Sequence, residues 1–67
     1  MITIFVNGEA CERHANTTVA ALVESFQLPK HAVAVERNSQ IVAKLDYSTT
    51  TLQDGDRVEI VTFVGGG

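Results

Sequence analysis

The sequence predicts an α+β layer fold in which one main helix covers a mixed sheet of four to five strands, and three observations predict it. Val19, Leu22, Val23 and Phe26 recur at helical spacing in a single segment. The segments before and after it are short, rich in Val and Ile, and separated by turn residues. The chain has 67 residues, 45% of them hydrophobic, with one proline. That is enough for one compact domain whose core is a single layer between sheet and helix, with no room for a deep active site.

Ile2, Ile4 and Val6 alternate with Thr3 and Phe5, and Asn7-Gly8 follows, a dipeptide that tolerates positive φ at both centres of a tight hairpin turn. A first strand over 2–6 and a modestly buried return strand over 9–14 are expected. Asn16, Thr17 and Thr18 offer side-chain oxygens to the free N–H groups of a helix start. The helix that follows buries Val19, Leu22, Val23 and Phe26 and turns Ala20, Ala21, Glu24 and Ser25 away. Pro29 ends it.

A strand over 32–37 buries Val33 and Val35, Asn38-Ser39 turns the chain, and 41–43 forms a short partner strand. The polar stretch 46–51 is expected as a surface loop, tied to the core by Leu45, Leu52 and Tyr47. Asp54-Gly55-Asp56 then turns into the last strand, 57–64, with Val58 and Ile60 inward. If the first and last strands lie side by side at the centre, the loop through Tyr47 is long enough for the crossover.

Five Lys and Arg against eight Asp and Glu give a formal charge of -3, and the basic residues Arg13, Lys30, Arg37, Lys44 and Arg57 are scattered. Nucleic-acid binding needs a clustered positive face and is not expected. No apolar run is long enough to span a bilayer, and no basic stretch leads into an apolar one at the start, so no membrane role is expected and a cytoplasmic location is. The single Cys11 fits a reducing compartment.

The sequence closes on Gly65-Gly66-Gly67 directly after a strand. Three residues without Cβ make the thinnest possible peptide, able to lie in a slot whose walls exclude any side chain, and reach roughly 10 Å when extended. The competing reading is a frayed terminus or a linker scar. A domain over 1–64 with a flexible glycine tail over 65–67 is expected.

The strand order, the Leu52-Gln53-Asp54-Gly55-Asp56 turn, the apolar run Val58-Glu59-Ile60-Val61 with Phe63-Val64, and the closing Gly66-Gly67 together resemble the ThiS family of ubiquitin-like β-grasp sulfur carriers. Val35-Glu36-Arg37-Asn38 with Ile41-Val42 is similar to the family's middle hairpin. The resemblance spans the whole chain, and Gly65 is one glycine beyond the family's minimal ending.

The resemblance implies a carrier without catalytic residues or a bound cofactor, not an enzyme, acting as a recyclable co-substrate. A partner E1-like adenylyltransferase of the ThiF type, using ATP and Mg2+, converts the Gly67 carboxylate to an acyl-adenylate. A persulfide sulfur donor turns that into a thiocarboxylate. Thiazole synthase of the ThiG type then takes the sulfur for the thiazole ring of thiamine. Gly65 and Gly66 thread the tail into the partner. Val61, Phe63 and Val64 are candidate docking residues beside it, since Val61 and Phe63 fall opposite to Val58 and Ile60. Packing of Phe63 beneath the Tyr47 loop competes with that role, and for Phe5 packing is favoured.

Other chemistry finds little support. Cys11 and His14 fall on opposite strand faces, so Cys11 reads as structural. Two histidines without ligand-spaced partners make no metal site, and Asp54 and Asp56 flank Gly55 as turn residues. A molybdopterin-synthase small-subunit carrier, a protein modifier and an interaction module with an incidental tail remain as alternative functions.

Overall fold

The computed structural model describes residues 1–63. Five strands form one mixed sheet: β1 (Ile2–Val6), β2 (Glu9–Arg13), β3 (Val33–Arg37), β4 (Gln40–Val42) and β5 (Arg57–Thr62), in the order β2-β1-β5-β3-β4. The expected central pairing is present, with β5 parallel to β1 and antiparallel to β3. Helix α1 (Val19–Ser25) covers one face. No helix among the described residues is long and apolar enough to cross a membrane.

The hairpin turns form as their residues require. Asn7 and Gly8 take φ of 50° and 86°, and Asn38 and Ser39 take 52° and 69°, the positive values that match a two-residue turn to the twist of its strands. The core is a layer between α1 and the sheet: Ile4, Val33, Val35 and Val58 meet Val19, Leu22 and Val23, all at most 1% exposed.

The start of α1 satisfies its free N–H groups by two routes. Thr18 caps the helix, its Oγ1 accepting from the Ala21 N–H at 3.1 Å. The N–H groups of Val19 and Ala20 instead donate to the carbonyls of Thr50 and Tyr47 at 3.0 and 2.9 Å. The polar stretch is therefore strapped across the helix start, and an isolated bridge between Thr18 and Thr51 completes it. Tyr47 and Leu52 seal the core from that strap, as expected, and burial pushes the Tyr47 phenol pKa up.

Several expectations are corrected. The strap buries Ala20, which the helical spacing placed outside. Leu45 sits in the 3-10 turn Lys44–Asp46 and points to solvent at 92% exposure, because Tyr47 and Leu52 already fill the space beneath. The helix stops at Ser25, before Pro29, since Gln27 takes a positive φ of 60° that leaves the helical region. Phe26 is thus a capping residue rather than a core one, exposed and stacked under the Arg13 guanidinium at 5.5 Å. Strand β3 starts at Val33 after a 3-10 turn, β2 ends at Arg13, and β5 ends at Thr62. Phe5 lies on the face without the helix and is 38% exposed.

Candidate functional site

The candidate site is the C-terminal end of β5 and the sheet face that α1 leaves open. Side chains alternate along a strand, so burying Val58 and Ile60 sends Glu59 and Val61 to the opposite face. Register places the rows: Val61 lies beside Ala34, Glu59 beside Glu36, and Glu36 beside Ile41. Val61, Phe63 and Ile41 are 55%, 60% and 78% exposed, so Phe63 does not pack beneath the Tyr47 loop. An apolar surface therefore flanks two glutamates set directly opposite each other, an arrangement that disfavours itself in water.

Main-chain bonds hold the end of the described residues to β3. Val33 and Thr62 are partners in the β3·β5 ladder, and the Phe63 N–H donates to the Ala32 carbonyl at 2.8 Å. The expected docking residues Val61 and Phe63 are thus brought together at this exit. The expectation for Val64, and those for Gly65, Gly66 and Gly67, fall outside the described residues.

At the other end of β5 the Asp-Gly-Asp turn is structural, as expected. Gly55 takes φ of 86°, and Asp54 Oδ1 accepts from the Thr3 N–H at 2.7 Å. Asp56 is buried at 6% exposure. Its Oδ2 accepts from Arg37 Nε at 2.7 Å and the Gln53 N–H at 2.8 Å, and its Oδ1 from Asn38 Nδ2 at 3.0 Å. Burial alone would raise its pKa, but these hydrogen bonds and the Arg37 charge outweigh burial and hold the carboxyl below its usual range. Sequence reasoning missed this network; Arg37-Asn38 in one turn and Asp56 in another carry no spacing signal.

An open groove of about 590 Å³ lies on the helix side, lined by Val6, Cys11, Phe26, Leu28 and Ile60 among others. No group of three or more His, Cys, Asp or Glu among the described residues is placed to hold a metal ion. What the arrangement offers is an exposed apolar and acidic face beside Phe63, the last described residue.

The sequence matches the ThiS family over residues 2–67. It is 43% identical over 63 residues to a protein of Bacillus subtilis named sulfur carrier protein ThiS, covering 92% of this chain and 96% of that one. It is 44% identical over 64 residues to a thiazole synthase of Paramagnetospirillum magneticum, covering 96% of this chain; the chain spans 20% of that relative's length. The crystal structure of the thiamine biosynthesis protein ThiS from Geobacter metallireducens superposes with a TM-score of 0.80 at 30% identity, covering 98% of this chain and all of that one.

Proposed function

The chain belongs to the ThiS family, and from that premise we propose that it is a sulfur carrier of thiamine biosynthesis whose Gly67 carboxylate becomes a thiocarboxylate. The observation that carries this reading is the match running through Gly67, together with a relative named as a sulfur carrier at 43% identity.

The chemistry follows from the carboxylate. Its delocalised charge makes it a poor electrophile, so it must first gain a leaving group. Attack of a Gly67 oxygen on the α-phosphorus of ATP forms an acyl-adenylate and releases pyrophosphate, with Mg2+ neutralising phosphate charge on a partner adenylyltransferase. A persulfide sulfur then displaces AMP, and a thiol cleaves the resulting S–S bond to leave the thiocarboxylate and a disulfide. Glycine suits this site because no Cβ shields the carbonyl from the nucleophile. The carrier supplies position, and its partners supply catalysis.

Val61, Phe63 and Val64 dock the partner, and Gly65 and Gly66 thread the tail. The facing pair Glu36 and Glu59 beside Val61 supports a partner surface that combines apolar contact with a basic group, which would relieve their repulsion. A stretch like this chain makes up one fifth of a protein named thiazole synthase, which supports that enzyme as the sulfur acceptor.

The test is intact mass spectrometry with fragmentation on the protein isolated from its own cells. Exchange of one oxygen for sulfur, located at Gly67, is the expected result. An unmodified end, both as isolated and after incubation with ATP, a persulfide donor and cell extract, overturns the proposal and leaves an interaction module.

A further inference from the structure

We propose that strand β2 is a self-recognition edge, on which a second copy of this chain pairs antiparallel about a two-fold axis at Cys11. The argument begins with the direction of peptide groups. The N–H groups of Phe5 and Asn7 donate to the Asp56 and Val58 carbonyls at 2.9 Å each, and the Thr3 carbonyl accepts from the Gly55 N–H at 2.7 Å. Odd-numbered residues of β1 thus turn their peptide groups toward β5, and Ile2, Ile4 and Val6 turn theirs toward β2.

Those three residues stand opposite Arg13, Cys11 and Glu9, which are therefore the hydrogen-bonded pairs of the antiparallel ladder. It follows that the N–H and C=O groups of Ala10 and Glu12 point out of the sheet. Strand β2 is a terminal strand, five residues long against three in β4 at the other edge. The Glu12 carbonyl accepts from Arg13 Nη1 at 2.9 Å, a contact that Arg13 gives up as it turns to Glu9 of the second copy; outward edge groups of this kind are a template for another strand.

Charge selects the partner and the register. With the axis at Cys11, Ala10 of each copy meets Glu12 of the other in a hydrogen-bonded pair, giving four main-chain bonds. Glu9 of each copy then faces Arg13 of the other, twice. Parallel pairing in register would set Glu9 against Glu9 and Arg13 against Arg13, and an axis at Glu12 would set glutamate against glutamate. Only Glu24 with Lys30 and Asp56 with Arg37 form ion pairs among the described residues, so Glu9 and Arg13 have none there. Glu9 is exposed and Arg13 half-buried, its guanidinium already extended over Phe26 near the edge.

The same register makes Cys11 and its symmetry mate a non-hydrogen-bonded pair, with Cα atoms about 4.5 Å apart, inside the range a disulfide spans. The axis runs perpendicular to the sheet, so both helices stay on one side and the two sheets join into one. Strand β5 lies two strands inward from the seam, which leaves the open face and the exit of the chain clear.

Sedimentation equilibrium of the full chain under reducing conditions, from about 10 μM to about 1 mM, reads the association directly. A concentration-dependent dimer is expected. Glu9→Arg sets arginine against Arg13, and Arg13→Glu sets glutamate against Glu9. Each variant alone should weaken the dimer about tenfold or more, since two attractive pairs become repulsive. Mixed in equal amounts, the two variants should associate again, because every facing pair is then of opposite sign.

Oxidised glutathione provides a second readout. It accepts two electrons as two Cys11 thiols lose their protons and join, releasing two glutathione thiols, and the covalent dimer should form faster in wild type and in the mixture than in either variant alone. A monomer throughout the range, or a dimer indifferent to both substitutions, overturns the proposal. Circular dichroism checks the fold of each variant, and Glu9→Arg, at an exposed position, keeps the test decisive if Arg13→Glu unfolds. None of these readouts depends on sulfur transfer.

Discussion

Asp56 shows how one side chain decides where a functional strand begins. Its carboxylate gathers donors from Gln53, Arg37 and Asn38, tying the β3–β4 turn to the turn that launches β5. Because its folded pKa lies below that of an unfolded aspartate, it stabilises the fold at pH values above the ordinary aspartate pKa of about 3.9, and that contribution fades as pH falls through the folded value. Asp56→Asn should cost about 2 kcal/mol near neutrality. Thermal melts from neutral pH into acid should show the gap to wild type narrowing, and a gap constant with pH contradicts the assignment. On the proposed function, Gly66→Ala or Gly67→Ala should leave the melting temperature unchanged while slowing adenylation by the partner enzyme, because a Cβ would meet the walls of a narrow channel. Pyrophosphate release measures it, and normal kinetics in both variants rule the slot out.

At the scale of elements, α1 is only seven residues long, too short to persist alone. It exists because its buried stripe meets the sheet and because its first N–H groups find acceptors in the Tyr47 strap and in Thr18. Thr18→Ala should destabilise the domain by about 1 kcal/mol, read by urea denaturation at equilibrium; no change would mean that the strap alone caps the helix. Strand β5 takes its central place by a similar logic. Its inward residues Val58 and Ile60 complete the core; its first residues, Arg57 and Val58, pair with β1, while β3 pairs with it from Val58 to Thr62, so β3 holds its C-terminal end in place.

For the whole molecule, the division of faces matters most. One face of the sheet is closed by α1 and the strap, and the other presents Val61, Phe63 and Ile41 with Glu36 and Glu59. Val61→Glu and Phe63→Glu change only exposed positions and should alter stability by no more than about 0.5 kcal/mol. Each should nonetheless weaken partner capture, seen as a higher carrier concentration for half-maximal adenylation with a nearly unchanged maximal rate. A fall in maximal rate alone would place these residues outside the docking surface. Salt should also weaken capture if a basic group on the partner meets the glutamates.

Much of this was legible along the chain, because it rests on short-range rules. The alternation of Ile2, Ile4 and Val6, the positive-φ dipeptide Asn7-Gly8, a helix cap among Asn16, Thr17 and Thr18, the Val33 and Val35 pair and the inward Val58 and Ile60 all follow from local geometry and period. The glycine ending and the turn before β5 carried the family resemblance for the same reason. Only the tertiary structure decided which apolar residues were surplus to the core. Phe26 and Leu45 were expected against the core, but Gln27 ends the helix early and Tyr47 and Leu52 are the residues buried from the strap, while Phe5 stands on the strand face that the helix leaves open. The Asp56 network and the outward peptide groups of β2 likewise depend on strands distant in sequence lying side by side, a relation that no local pattern encodes.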